Sequence, residues 1–137
     1  MNIPVRQKRP ITQPRAVADL IRTLLRKEAR IDRDKEHFWV IGLTTRNTVK
    51  YVDLVSMGTL NASLVHPRET FRYAVMKAVS SIVTVHNHPS GSPEPSDDDL
   101  SLTRRLKDAG SVLGIEVLDH VIVAGAHYTS FKERGLW

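Results

Sequence analysis

Residues 81–99 read SIVTVHNHPSGSPEPSDDD. Ser81 to His86 is a short apolar run that fits a buried central strand. Pro89, Gly91, Pro93 and Pro95 then forbid regular structure. Ser96 starts a helix expected to reach about Ala109, with Gly110 as its stop. His86 and His88 lie two apart at the strand end, so extended backbone aims both imidazoles to the same side. Two rings so placed can grip one metal ion at about 2.0–2.1 Å. Asp99 sits in the first helical turn, where its short carboxylate can turn back toward the strand end. Two His and one carboxylate leave a zinc-like ion an open position for water, which is the arrangement of a catalytic site and not a closed structural one. The same residues carry a simpler reading. Ser96 and Asp99 fit a capping box, and Glu94, Asp97, Asp98 and Asp99 suit a helix N-terminus through its dipole alone.

Working outward, Val17, Leu20, Ile21, Leu24 and Leu25 recur at helical spacing and predict an amphipathic helix from about Pro14 to Glu28. HFWVIGLT (37–44) and VKYVDLVS (49–56, from Val49) are rich in β-branched and aromatic residues. The polar residues 45–48 between them read as a hairpin turn. Pro67 opens a second helix with Phe71, Ala74, Val75 and Ala78 toward the core. Ile115 to Ala124 and Tyr128 to Phe131 read as two final strands. The order αββαβαββ implies an α/β fold, a single-domain mixed sheet flanked by helices.

The chain has 137 residues, 41% hydrophobic and 26% charged, which is one domain of ordinary globular composition. It has no cysteine. Disulfides, thiolate zinc fingers, iron–sulfur clusters and cysteine nucleophiles are thereby excluded, and any metal must be held by His, Asp, Glu and water. No apolar run is long enough to cross a bilayer, and MNIPVRQKRP lacks the apolar stretch of a secretory signal, so the expectation is a cytoplasmic protein with no membrane partner. The net charge of +5 comes entirely from residues 1–36, where ten Lys/Arg face five Asp/Glu; the remainder is balanced at ten each. Arg6, Lys8, Arg9 and Arg15 mark residues 1–13 and their border as a flexible basic arm able to touch nucleic-acid phosphates weakly, ahead of a neutral domain over 14–137.

HNHPSG…PSDDD resembles the signature of the JAMM-type metalloproteases, the JAB/MPN superfamily: His-x-His, ten residues, then Asp, with Ser three before it. His86, His88, Ser96 and Asp99 meet that spacing without a gap. More narrowly, the chain is similar to the JAB domain of RadC-like proteins, a likeness carried by 55–69, 85–99, LGIEVLDHVIV (113–123) and SFKERGL (130–136). The resemblance implies a cytidine deaminase-like fold with Zn²⁺ on His86, His88 and Asp99. It also implies a general base on the first strand of the sheet, whose matching position is Glu36; Glu69 is the runner-up, more simply a dipole partner of its helix. Ser96 would then donate to the oxyanion of a peptide or isopeptide substrate. RadC-like proteins commonly carry a helix-hairpin-helix region ahead of this domain, and the expectation is that this chain has no room for one.

Other functions compete. One is a nucleic-acid-associated or protein-interaction module whose metal is not catalytic. Another is a nuclease, suggested by the string HNH, although two imidazoles favour zinc over a hard ion. A homodimer through edge strands is a further expectation. Asp119-His120 reads either as support behind a metal ligand or as a satisfied polar pair at a strand start. Arg68, beside His66, orients a substrate carboxylate or pairs with Asp53. His37 and His127 are read as surface residues.

Overall fold

The computed structural model describes residues 1–4, 10–58 and 65–137. In chain order the elements are β1 (Asn2–Ile3), α1 (Pro14–Arg26), α2 (Arg30–Arg33), β2 (Glu36–Leu43), β3 (Val49–Gly58), α3 (Pro67–Thr70), α4 (Arg72–Met76), β4 (Ser81–Asn87), α5 (Asp97–Leu113), β5 (Glu116–Ala124), β6 (His127–Ser130) and α6 (Phe131–Arg134). The strands form one sheet in the order β1-β3-β2-β4-β5-β6. Among the described residues only β4 and β5 run parallel, with α5 as their crossover; the other pairs are antiparallel. The expected mixed α/β sheet with flanking helices is what the chain forms.

Strand alternation sorts the core into two layers. On one face Trp39, Ile41, Val83, Val85, Val121 and Val123 receive Val17, Ala18, Ile21 and Leu24 of α1. On the other, Phe38, Val40 and Ile82 meet Phe71, Ala74, Leu102 and Leu106. β2 is buried from His37 to Leu43 because both faces are covered. Phe38 and Trp39, each 0% exposed, therefore anchor opposite sides of the strand that begins at Glu36. Burial of one such aromatic stabilises by about 1.5–3 kcal/mol, so the strand is anchored from Phe38 onward.

Three expectations shift. The helix predicted from Pro67 is two short ones meeting at Phe71; Phe71 and Ala74 are buried, but Val75 is exposed and Ala78 has φ 52°. The helix from Ser96 runs through Gly110 to Leu113, and the left-handed stop is Gly114, φ 73°. At Gly110 a Cβ would collide with the Ile115 carbonyl oxygen, so this glycine serves close packing of helix on strand. His37, read as a surface residue, is wholly buried on the α1 side, stacked on Trp39 at 4.9 Å. His127 is exposed, as expected.

In the expected basic arm, Asn2–Ile3 pair antiparallel with β3 and Ile11 is buried in the α1 layer. Arg6, Lys8 and Arg9 lie outside the described residues, as do residues 59–64. No helix among the described residues is long and apolar enough to cross a membrane.

Candidate metal centre

β4 stops pairing with β2 at the Phe38/His86 rung but continues beside β5 to the Asn87/Val123 rung. The chain then leaves the sheet with His88 N–H donating to the Val123 carbonyl at 2.8 Å. His86 and His88 consequently emerge on the α5 side. α5 begins with a complete capping box: Asp99 N–H donates to Ser96 Oγ at 3.1 Å, and Ser96 N–H donates to Asp99 Oδ2 at 2.9 Å. The capping bond turns the Asp99 carboxylate back onto the histidines. Its Oδ2 lies 3.1 Å from His88 Nε2 and its Oδ1 lies 3.2 Å from His86 Nε2. Capping and ligand geometry are thus one arrangement in Asp99, not alternatives.

The Nε2 atoms of His86 and His88 face each other at 2.9 Å, and one ligand atom from each of His86, His88 and Asp99 falls within 4.8 Å of the others. The outer nitrogens are occupied. His88 Nδ1 meets the Ser92 carbonyl at 2.8 Å, which can only accept, so Nδ1 carries hydrogen; Nε2 then either donates to Asp99 from the protonated ring or, in the neutral ring, offers a lone pair to an ion. His86 Nδ1 meets His120 Nε2 at 2.6 Å, and His120 Nδ1 meets Thr84 Oγ1 at 2.7 Å. In the absence of an ion a proton on Nε2 serves the carboxylate; an ion among the three groups would take that proton's place. The donor set of two borderline nitrogens and a hard oxygen fits a divalent transition ion.

The Asp99 carboxylate favours positive charge at this point. The hydrogen bond with Asp99 holds the His88 pKa up, against burial, with smaller contributions from Ser92 and the charge of Glu36. Burial acts to raise the Asp99 pKa, but the bonds to His86 and His88 outweigh it and hold the carboxyl far below its usual range. Burial pushes His120 well below the ordinary histidine value, so it stays neutral behind His86.

A cleft of about 690 Å³ opens over these groups, and both Glu36 and Ser96 line it, with Phe38 and Leu102 as apolar wall. Glu36 stands at the first rung of β2, opposite Gly58. Glu69 lies in α3 and is not among the described residues lining the cleft. Asp119 and His120 divide the two readings offered for them. His120 backs His86, whereas Asp119 accepts from Ser130 Oγ at 2.5 Å and from Lys132 N–H at 3.0 Å, fixing the start of α6. Arg68 turns to His66 Nε2 at 3.2 Å, and Asp53 instead pairs with the Met1 amino group at 2.6 Å. Asn87, which the sequence reading passed over, is 4% exposed on the opposite side of β4 from the two histidines. Its signal was available: a polar residue between two same-facing ligands must point into the other layer and find partners there.

A family profile described as the RadC-like JAB domain matches residues 11–136. Among curated relatives, a UPF0758 protein of Desulfitobacterium hafniense is 48% identical over 126 residues, 92% of this chain and 53% of its own length. Another from Syntrophomonas wolfei is 45% identical over 132 residues, covering 96% and 56%. A third, from Desulforudis audaxviator, is 51% identical over 104 residues, covering 76% and 45%. The chain spans about half the length of the curated relatives it matches.

Proposed function

The chain belongs to the RadC-like JAB domain family, and from that premise we propose that it is a zinc-dependent hydrolase cleaving a peptide or isopeptide bond. The observation that carries the reading is the convergence of His86 Nε2, His88 Nε2 and the Asp99 carboxylate at the floor of a cleft that Glu36 and Ser96 also line. His86, His88 and Asp99 would hold the ion. Bound Zn²⁺ supplies Lewis acidity and lowers the pKa of a coordinated water to about 7.

The chain's own groups do the rest. Glu36 takes the proton of the attacking water at its carboxylate and returns it to the departing amine nitrogen. Ser96 Oγ uses a lone pair to accept Asp99 N–H, which leaves its O–H free to donate to the oxygen of the attacked carbonyl. Phe38 and Leu102 line one side of the cleft with apolar surface, where lower polarity would strengthen both interactions.

The test is metal content of protein purified without a polyhistidine tag. The expected result is about one zinc per chain, lost in the His86→Ala/His88→Ala variant. Glu36→Gln should keep the metal and lose hydrolysis of quenched fluorescent peptides or of lysine-linked isopeptides. Zinc absent from the wild type, with no uptake on titration, would sink the proposal.

A further inference from the structure

Glu36 begins a strand, and a strand's first residue ordinarily frays. The last main-chain rung between β2 and β4 is Phe38/His86, so Glu36 lies beyond the β4 ladder. The Asn87 side chain crosses that gap. Its Oδ1 accepts from His37 N–H at 2.6 Å, and its Nδ2 donates to the Lys35 carbonyl at 3.0 Å. These two main-chain groups bracket Glu36. In an antiparallel sheet, the N–H after a residue and the C=O before it point together toward the same neighbouring strand. The Asn87 amide therefore acts as one extra rung of β4.

The orientation of that amide is determined. Flipped, it would set NH₂ against N–H and oxygen against carbonyl oxygen. His37 reinforces the arrangement, since its Nδ1 also meets the Lys35 carbonyl, at 2.8 Å. Two donors thus occupy both lone pairs of that carbonyl. All of this happens on the α1 side, while Glu36 lines the cleft beside His86, His88 and Asp99.

We propose that Asn87 is a positioning residue for Glu36: its side-chain amide clamps the peptide groups on either side of that carboxylate and fixes where the carboxylate enters the cleft. The inference rests on the reading of Glu36 as the proton carrier. It gives HNH a division of labour, with the outer residues facing the metal centre and the middle one holding the base from behind.

The experiment compares wild type, Asn87→Ala, Asn87→Asp, Glu36→Gln and the Asn87→Ala/Glu36→Gln pair. The first readout needs no turnover: ¹⁵N relaxation at residues 35–37, with Ile41 as the reference in mid-strand. Wild type should show order parameters near 0.85 at both places; Asn87→Ala should fall below about 0.6 at 35–37 while Ile41 stays rigid. Asn87→Asp keeps the acceptor for His37 N–H but presents oxygen to the Lys35 carbonyl, and should fall between the two.

The second readout is hydrolysis of a quenched fluorescent peptide by the zinc-loaded chain. Asn87→Ala should lose about 10²-fold in kcat, the scale for misplacing a reacting group by an ångström, with KM unchanged. The paired variant should lose no more than Glu36→Gln alone. Unchanged order parameters at 35–37, or loosening that spreads to Ile41, would overturn the clamp. So would wild-type kcat in Asn87→Ala beside an inactive Glu36→Gln. Activity surviving in Glu36→Gln would instead overturn the assignment of the base.

Discussion

Replacing His120 by Phe removes one hydrogen-bonding ring and leaves an aromatic of similar shape. The His120 ring packs 5.9 Å from Phe38 and edge-on to Phe131 at 5.0 Å, so the variant keeps its packing. What it loses is the acceptor for His86 Nδ1 at 2.6 Å and the partner of Thr84 Oγ1 at 2.7 Å, the second lost equally with and without an ion. In the metal-free chain His86 can answer by moving its proton to Nε2. With an ion bound it cannot, because Nε2 must then offer its lone pair and Nδ1 must carry the hydrogen. The buried N–H is left without a partner only in the loaded form, at a cost of about 1–3 kcal/mol. At 1.4 kcal/mol per decade that is roughly a 10- to 100-fold loss of zinc affinity, the range known for partners behind metal ligands. Competition against a fluorescent chelator at pH 7.5 measures it, with circular dichroism melting as the control for folding. Zinc affinity within threefold of wild type, in a variant that still unfolds cooperatively above the assay temperature, would refute the role given to His120.

The same variant carries a pH signature. His120 is neutral in the fold because its pKa is depressed, whereas in the unfolded chain it takes a proton near 6.5. Its contribution to stability is therefore full above 6.5 and lost as pH falls from there toward the folded value. Metal-free wild type should lose up to about 1.4 kcal/mol per pH unit below 6.5 relative to His120→Phe; parallel denaturation curves for the two would contradict this. Ser96→Ala should cost about 1 kcal/mol of stability through the lost cap, retain zinc, and reduce hydrolysis about 10²- to 10³-fold. If activity falls only with the folded fraction, Ser96 is a cap and nothing more. Gly110→Ala gains about 1 kcal/mol of helix propensity but drives a methyl into the Ile115 carbonyl, a clash of about 1–3 kcal/mol, so urea denaturation should show a net loss of up to about 2 kcal/mol. A gain in stability would show that helix and strand have room to separate.

Periodicity carried the architecture where one face of an element differs from the other. α1 was legible because Val17, Ile21 and Leu24 repeat on one side. β2 was harder, since a strand covered on both faces offers no alternation, and nothing local says that the imidazole of His37 stacks on Trp39. Gly110 and Gly114 both resemble helix stops; only the contact with Ile115 distinguishes the packing glycine from the left-handed one. At the candidate site, the spacing of His86, His88 and Asp99 foretold that the three side chains converge, because strand and helix geometry are both local. Glu36 needed family resemblance to be found, since it reaches the cleft from a strand 50 residues before His86 and no motif surrounds it. Which of two readings His120 follows, and which groups Asn87 holds, required the third dimension, because those roles consist of bonds to His86 and to Lys35 and His37.

Asp99 belongs at once to the first turn of α5, through its bonds with Ser96, and to the pair of histidines at the end of β4. An ion seated there joins the crossover helix to the central strand it left. By mass action, ion at a thousand times its dissociation constant adds about 4 kcal/mol to the folded state, against a total near 5–15 kcal/mol for a domain. A chelator would then act on the metal-loaded chain as a mild denaturant does, and its melting temperature would gauge the free metal around it.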